Sequence, residues 1–300
     1  APPLRPFHTI LILYNVADKK MIYKQKQFRM KKLVIFVFII LVSASWTPRP
    51  IEWVAIGDSI TFLNDPPGGT TQRGYLTQVT EQLPNVRYIN KGYNGWTSGS
   101  IADKIDELEI PRADVYSVFL GTNDWWSGRP IGVPDDYVRA TGSGTVYGAY
   151  RIIIDKLRGL NGKAKIILIT PLQRGDYVQG GRHANNAYGS YRDKNGQRLA
   201  QVADAVKHIA EQEKLTLVDL YYKSGITVKN VVKFKRLKDT KTGEYKNYPY
   251  PEYLNIPFNP DDEYPYPPEA VDMTFDGLHP SEKGNAVIAK MIVKTMKKLF

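Results

Sequence analysis

The chain has 300 residues, of which 42% are hydrophobic and 24% charged, and its formal net charge is +11. Residues 1–44 contain eight of the basic residues and one acid, so the remainder carries only +4 of that charge and gives little reason to expect nucleic-acid binding. The absence of cysteine excludes disulfides and thiolate catalysis, and with four histidines and no His-Glu-x-x-His motif we expect no metal site.

The N-terminal segment has the pattern of a secretory signal peptide at residues 30–44. Met30 and two lysines are followed by an apolar run from Leu33 to Val42 and then by small residues. We expect cleavage after Ala44 and a secreted or periplasmic protein with no stable membrane anchor. A retained anchor is the alternative, although ten apolar residues are short for a span of about 20. Residues 1–29 show no organised pattern, and we interpret them as upstream, non-native or untranslated-region residues.

Residues 45–300 alternate short apolar runs with amphipathic stretches, which predicts one α/β domain with a parallel sheet. The predicted strands are Glu52–Ile56, Arg87–Asn90, Val115–Leu120, Lys165–Thr170 and Thr216–Leu220. The predicted helices are Gly74–Gln82, Ile101–Leu108, Val146–Leu160 and Arg198–Lys214. We therefore expect a three-layer α/β/α domain, with helices on both faces of a five-stranded sheet.

Polar or glycine-containing motifs follow the first three predicted strands. The first strand leads into Gly57-Asp58-Ser59, the second is followed by Gly95 and the third by Asn123. Each motif alone is also typical of an ordinary turn or helix cap. Because ligands bind beyond the C-terminal ends of parallel strands, we expect the three motifs to meet at one edge of the sheet.

Two long segments depart from this minimal pattern. Leu172–Ser190 is predicted to be a long loop beyond the fourth strand, beside the site. The insertion at residues 227–272 begins with a predicted hairpin around Asp239–Gly243 and continues with a Tyr/Pro-rich strip, Tyr248–Pro268. This strip is either a rigid connection packed by its own rings or a wall of the substrate pocket.

The last motif, Asp276-Gly-Leu-His279, precedes a helix pattern that begins near Ser281. A serine hydroxyl becomes a good nucleophile when an imidazole takes its proton, and the imidazole needs a carboxylate to hold the correct tautomer. Ser59, His279 and Asp276 are the residue types for these roles. A turn that only caps the last helix is the alternative reading of this motif.

The four blocks in this order resemble the SGNH hydrolase superfamily, also called GDSL-type esterases and lipases, over roughly Trp53 to Phe300. The resemblance implies a flavodoxin-like parallel sheet. It also implies a catalytic triad of Ser59, His279 and Asp276. The Gly-x-Ser-x-Gly elbow of α/β-hydrolases is absent, because Thr61 stands two residues after the serine.

By the same resemblance, three donors would bind the oxyanion that forms on the attacked carbonyl. They are the backbone N–H groups of Ser59 and Gly95 and the side-chain amide of Asn123. None of these roles requires a metal or a cofactor, so we expect neither.

Four neighbouring residues are assigned to substrate binding, namely Asp58, Trp96, Trp125 and Trp126. Aromatic rings at the rim of an active site stack on sugar faces or cover acyl chains. Buried support of the site is the alternative for these rings.

We therefore predict a serine esterase that acts on short-chain acyl esters. The preferred substrates are O-acetyl groups on carbohydrate, so the expected partner is a small-molecule or glycan ester and not a nucleic acid. The alternatives are a lysophospholipase or other lipid-ester hydrolase, and a catalytically silent carbohydrate-binding protein on the same fold.

Overall fold

The computed structural model describes residues 21, 23–33, 49–66, 69 and 72–300, which fall in two units, Ala1–Arg49 and Pro50–Phe300. In the first unit, residues 21 and 23–33 are helical (α1) with exposed side chains. Most of the predicted signal peptide, from position 34 onward, lies outside the described residues. None of the helices in the described ranges is both long and apolar enough to span a bilayer.

A five-stranded parallel sheet forms the centre of the second unit. Its strands are β1 (Ile51–Gly57), β2 (Val86–Gly92), β3 (Val115–Phe119), β4 (Lys165–Ile169) and β7 (Thr216–Val218). They lie in the order β2-β1-β3-β4-β7, and every neighbouring pair is parallel. This is the flavodoxin-like order, and each predicted strand is confirmed to within two residues at either end.

Helices cover both faces of the sheet, as the alternation of elements predicts. The helices of this unit are α2 (Ser59–Phe62), α3 (Tyr75–Gln82), α4 (Ser98–Asp103), α5 (Thr122–Ser127), α6 (Pro134–Val138), α7 (Val146–Leu160), α8 (Leu199–Gln212), α9 (Leu220–Lys223) and α10 (Glu282–Met296). Successive strand residues point to opposite faces. Val54 and Ile56 pack with α4 to α8, whereas Trp53 and Ala55 pack with α3 and α10.

The predicted helix Ile101–Leu108 is misplaced, because its start is set by a cap that the apolar pattern does not reveal. The Thr97 hydroxyl accepts a hydrogen bond from the Ser100 N–H at 3.0 Å and starts α4 at Ser98. The helix then ends at Asp103, and the following residues form turns. The apolar side chains Ile105 and Leu108 still reach the core from this irregular segment.

Two antiparallel hairpins extend from the sheet. The first, β5 (Tyr177–Gln179) with β6 (Arg182–Ala187), lies inside the segment predicted to be a long loop. The loop prediction is therefore incomplete, because the Gly180-Gly181 pair supplies a turn, with φ of +73° at Gly181. The second, β8 (Lys235–Lys238) with β9 (Tyr245–Tyr248), is the predicted hairpin of the insertion.

Candidate active site

Ser59, His279 and Asp276 form one hydrogen-bonded chain. The Ser59 Oγ lies 2.9 Å from the His279 Nε2, and the His279 Nδ1 lies 2.6 Å from the Asp276 Oδ2. The other oxygen of Asp276 accepts the backbone N–H groups of Leu278 at 3.0 Å and His279 at 2.7 Å. The carboxylate is therefore fixed on both sides, and the imidazole lies between a hydroxyl and a carboxylate, as general-base activation of a serine requires.

Ser59 is held at the sharp turn between β1 and α2. The side chain of Asp58 caps α2 by accepting a hydrogen bond from the Ile60 N–H at 2.9 Å. Gly57 ends the strand where a side chain has no room, since a Cβ there would lie 2.0 Å from the Thr61 hydroxyl oxygen. The half-buried Ser59 is thus the first helical residue beyond the strand, at the C-terminal edge of the sheet.

Asp58 is only 2% exposed, so its carboxyl has no direct access to the surface, although the sequence suggests a role in substrate binding. Burial raises the pKa of this carboxyl to about 6, against the opposing effects of the Ile60 N–H and the nearby His279. Asp58 is therefore a cap whose charge changes close to neutral pH.

The turn that carries the acid and the base depends on Gly277. Its φ is +87°, and a Cβ at this position would lie 1.8 Å from the backbone oxygen of Asp176. The Gly277 N–H also donates to the Thr274 hydroxyl at 3.1 Å. A glycine is needed here because the turn is left-handed and the chain passes close to a neighbouring segment.

Two aromatic rings flank the imidazole of His279. The Phe275 ring stacks on it with centroids 5.8 Å apart, and the Tyr177 ring meets it edge-on at 5.5 Å. Tyr177 lies in β5 and was not predicted from the sequence as a site residue. The only indication in the sequence is that it belongs to the segment Leu172–Ser190, which is predicted to lie beside the site.

The two further oxyanion candidates follow β2 and β3, with Gly95 in a turn and Asn123 in the first turn of α5. Gly95 has a φ of +74°, and apart from its chain neighbours no heavy atom lies within 4 Å of the position that its Cβ would occupy. The Asn123 Nδ2 donates to the backbone oxygen of Trp96 at 3.0 Å. The amide carries two hydrogens, so this bond joins α5 to the loop after β2 and leaves one donor for a ligand.

Asp124 in α5 joins this helix to the start of α4 from inside. It is fully buried, and its carboxylate accepts the Ser98 N–H at 2.9 Å and the Ser98 hydroxyl at 2.6 Å. Burial raises the pKa of Asp124, and the bonds from Ser98 oppose that rise. This anchor, which the sequence analysis did not assign, holds the N-terminus of α4 against α5 and so positions Gly95 and Asn123.

The aromatic residues next to the site have different surroundings. Trp125 is fully buried, and its indole N–H donates to the Gln197 backbone oxygen at 3.0 Å, so it supports the site from the core. Trp126 and Trp96 are half-buried, and Trp96 stacks on Tyr93 with centroids 4.5 Å apart. Of the two adjacent tryptophans, only Trp126 can contribute to an accessible rim.

Arg174 is a buried cation that the sequence analysis did not identify. It is 2% exposed, its Nε and Nη2 have no hydrogen-bond partner among the described residues, and its guanidinium carbon lies 5.7 and 5.5 Å from the rings of Trp125 and Trp126. Burial lowers its pKa to about 10, while Asp276 and Asp176 oppose that shift. The sequence offered one indication of its importance. Arg174 lies five residues beyond β4, and the candidate site motifs likewise follow the first three strands.

A small cavity adjoins the imidazole. Its volume is about 120 Å³, and its lining includes Ile60, Leu63, Phe275 and His279. It contacts the imidazole and has room for only a few heavy atoms, and Ser59, Gly95 and Asn123 are not among its lining residues.

A larger cleft of about 420 Å³ lies between the β5–β6 hairpin and the Tyr/Pro-rich strip. Its aromatic lining consists of Tyr188, Tyr191, Tyr253 and Phe258. The Lys235 ammonium, which is almost fully buried, lies 3.0 Å from the Asp176 carboxylate at this cleft. The strip packs on its own rings, as in the pair Tyr264–Tyr266, and its residues 253–258 also form one wall of this cleft. That the strip helps to define a substrate pocket stays a prediction.

Comparisons with known proteins agree with this geometry. The sequence model of the GDSL-like lipase/acylhydrolase family matches residues 55–287. No curated protein sequence matches the chain.

Solved structures also resemble the chain. A possible lipase from Chitinophaga pinensis is 57% identical, with a TM-score of 0.81, and the match covers 83% of this chain and 98% of that one. A protein from Lactobacillus plantarum is 20% identical, with a TM-score of 0.58, over 85% of this chain and 100% of that one, and shows the fold alone. An acetyl xylan esterase is 19% identical, with a TM-score of 0.48, over 81% and 98% of the two chains.

Proposed function

Because the chain belongs to the GDSL-like lipase/acylhydrolase family, we propose that it is an exported serine esterase that hydrolyses short-chain acyl esters, with O-acetyl groups on carbohydrate as preferred substrates. The observation that carries this proposal is the hydrogen-bonded chain from Ser59 through His279 to Asp276, with contacts of 2.9 and 2.6 Å. The three side chains come from segments up to 220 residues apart, so their alignment is a property of the fold.

The reaction would proceed through an acyl-enzyme. The Ser59 Oγ attacks the carbonyl carbon while its proton passes to the His279 Nε2, and the carbonyl oxygen becomes an oxyanion. His279 then returns the proton to the alkoxide leaving group, which departs as the alcohol. A water molecule attacks the acyl-enzyme by the same route and releases the carboxylic acid and free serine. Asp276 stabilises the imidazolium in both halves of the cycle.

The oxyanion would be bound by the Ser59 and Gly95 backbone N–H groups and by the Asn123 amide. Donors that are already held in place contribute most, because they need no reorganisation when charge develops. The bond from Asn123 to the Trp96 backbone oxygen and the buried Asp124 anchor support this role, since they hold the start of α5 against the loop after β2 and the start of α4.

The proposed substrate class rests on the shapes of the two cavities. The small cavity contacts the proposed base His279 and has room for an acetyl or similarly short acyl group. The larger cleft has tyrosine rings in its walls, and such rings stack well on the C–H faces of sugars. A lipid-ester hydrolase is the second candidate, because the 57% identical protein is described as a possible lipase.

A panel of p-nitrophenyl esters from two to twelve acyl carbons, together with acetylated oligosaccharides, tests this proposal. We expect the highest kcat/KM for the acetyl ester and release of acetate from the oligosaccharides, with neither activity in Ser59→Ala. A preference for long chains would instead favour the lipid-ester candidate. Absence of turnover on every ester, in a folded protein, would favour the catalytically silent binding protein.

A further inference from the structure

The turn that carries the catalytic acid and base rests on the segment that leads into β5. The Gly175 N–H donates to the Gly277 backbone oxygen at 2.8 Å. The backbone oxygen of Asp176 also lies against Gly277, since a Cβ on that glycine would come within 1.8 Å of it. The Tyr177 ring then meets the His279 imidazole edge-on at 5.5 Å. Three consecutive residues therefore contact this turn.

The side chain of Asp176 anchors the segment from its other side. One carboxylate oxygen accepts the Gly189 N–H at 2.8 Å and the Tyr191 hydroxyl at 2.5 Å. The other accepts a hydrogen bond from the Lys235 ammonium at 3.0 Å. Successive residues of an extended chain point to opposite sides, so this carboxylate lies at the large cleft while the Tyr177 ring faces the imidazole. Asp176 therefore fixes the chain immediately before the contact with the base.

Lys235 is a buried cation at the start of β8, within the insertion at residues 227–272. Its side chain is 4% exposed, and its charged partner is the Asp176 carboxylate. Its ammonium also lies 5.4 to 5.9 Å from the ring centres of Tyr253, Phe258 and Tyr266. A pair shielded from water interacts strongly, and loss of one member leaves the other without compensation. The ion pair therefore ties the insertion firmly to the segment before β5.

Tyr266 forms a second link between the insertion and the catalytic turn. This tyrosine is 4% exposed, and its hydroxyl donates to the backbone oxygen of Asp176. The same hydroxyl lies 3.0 Å from the position that a Cβ of Gly277 would occupy. The insertion thus reaches the back of the turn at Asp176 by both an ion pair and a hydrogen bond.

We propose that the Lys235–Asp176 ion pair is a brace that positions the catalytic base, so that Lys235 and Asp176 are positioning residues for ester hydrolysis. The inference rests on the proposed function and gives the insertion a role in it. The brace holds residues 175–177 against the turn, and this keeps the imidazole between the Ser59 hydroxyl and the Asp276 carboxylate. Proton transfer depends on that alignment, and a misplacement of about 1 Å can lower a rate by about 10²-fold.

Two single variants and their double variant test the brace. Lys235→Met removes the cation, Asp176→Asn removes the anion, and K235M/D176N replaces the buried pair with two neutral side chains. We expect each to lower kcat for p-nitrophenyl acetate by about tenfold or more and to change KM by less than about twofold, because alignment of the base affects the reacting step. The double variant should lose no more than the single variants, since all three remove one contact.

Lys246→Met is the matched control. Lys246 lies in the same hairpin, in β9, and pairs with Asp239 at 2.9 Å, but its side chain is 45% exposed. Because exposed ion pairs contribute little, this variant should keep kcat and KM within about twofold of the wild type. An equal loss of kcat in Lys246→Met and Lys235→Met would refute the brace, because the loss would then follow from the charge of the hairpin and not from the buried pair.

Urea unfolding separates positioning from a simple loss of stability. Each single variant leaves a buried group unpaired and should unfold at lower urea, whereas K235M/D176N should recover stability because no buried charge remains unpaired. Its kcat should nevertheless stay low. Recovery of kcat together with stability would overturn the brace, since the pair would then act only on folding. The double variant carries this test even where a single variant does not fold.

The proton on the His279 Nδ1 provides a measurement that needs no turnover. It lies in the 2.6 Å contact with Asp276, and NMR follows its exchange with water, with His279→Ala to identify the resonance. We expect exchange about tenfold faster in K235M/D176N than in the wild type, and unchanged exchange in Lys246→Met. Absence of ester hydrolysis by the wild type would overturn the proposed function, and this exchange would then decide the brace. The same exchange rate in K235M/D176N as in the wild type would overturn the brace whether or not esters are hydrolysed.

Discussion

The catalytic edge and the cleft side of this molecule are built by different means. The catalytic edge consists of Ser59, Gly95, Asn123 and the turn Asp276–His279, which lie in the first helical turns or loops just beyond sheet strands or just before the last helix. The cleft side consists of the segment 172–190 and the Tyr/Pro-rich strip, which are long additions to the sheet. Hydrogen bonds between backbone and carboxylates fix the first region, whereas rings and cations form most of the second. If the proposed function holds, the sheet positions the reacting groups, and we expect the additions to influence the choice of substrate.

The largest expected effect is on the catalytic edge. Ser59→Ala should lower kcat on every hydrolysed ester by on the order of 10⁴-fold or more, because no other group takes the place of the nucleophile. His279→Ala should be comparably severe, since the hydroxyl then keeps its proton. Steady-state kinetics checks both variants, with circular dichroism as the control for folding. Wild-type turnover in Ser59→Ala would assign the nucleophile elsewhere.

Loss of one oxyanion donor should have the next largest effect. Asn123→Ala should lower kcat by about 10²–10³-fold and change KM little, because the oxyanion exists only in the transition state. Kinetics on p-nitrophenyl acetate and on an acetylated oligosaccharide should show the same loss, since the step is common to both. A change in KM alone would place Asn123 in ordinary substrate binding.

The pH dependence of the free energy of unfolding tests the role of Asp58, the buried cap beside Ser59. Its folded-state pKa of about 6 lies above the ordinary value of 3.8, so the folded protein holds this proton more strongly than the unfolded chain does. The contribution of Asp58 to stability is therefore largest below about pH 4 and falls as pH rises to 6, by about 3 kcal/mol.

Asp58→Asn should remove that decline, because the amide keeps an oxygen that can accept the Ile60 N–H and does not titrate. Urea unfolding of both proteins at pH 4 and pH 7 provides the measurement. The free energy of unfolding of the variant, relative to that of the wild type, should be larger at pH 7 than at pH 4. An equal difference at both pH values would mean that the Asp58 carboxyl does not titrate between them.

The smallest expected effect belongs to Trp126, the ring that joins α5 to Tyr188 of the cleft side. Trp126→Leu should raise KM for an acetylated oligosaccharide by a few fold, because stacking on a half-buried ring contributes on the order of 1 kcal/mol. The rise should exceed the rise for p-nitrophenyl acetate, whose alcohol part is too small to fill the cleft. Equal changes for both substrates would place Trp126 at the catalytic edge and remove the distinction between the two regions.

Much of the fold could be predicted because local patterns report it directly. Apolar runs of five or so residues identified the five strands, and the fifteen-residue helix α7 was predicted at its observed bounds, since its apolar residues repeat at helical spacing. The bounds of α4 were not predictable from that pattern, because the Thr97 cap and not the apolar spacing sets its start. The β5–β6 hairpin was missed for a related reason, because its polar residues show little alternation.

The order of the motifs along the chain was sufficient to nominate Ser59, His279 and Asp276. Parallel strands bring their C-terminal ends to one edge, so residues that follow different strands become neighbours whatever their separation in the chain. What the sequence could not decide is the direction in which neighbouring side chains point. Trp125 and Trp126 are chemically identical, but successive helical residues lie about 100° apart around the axis, so one enters the core and the other stays half-buried beneath Lys194.

The burial of Arg174 was likewise decided only by the tertiary structure. Nothing in its local sequence distinguishes it from the exposed Arg192, since both stand in polar, glycine-containing loops. Arg174 is buried where two distant segments approach it, namely α5 with Trp125 and Trp126 and the region of Asp276. The sequence by itself determined the sheet, the order of the motifs and the residue types of the triad, because these follow from local periodicity and chain order. The charge, depth and shape of the cleft depend on contacts between distant segments, and only the packed structure decided them.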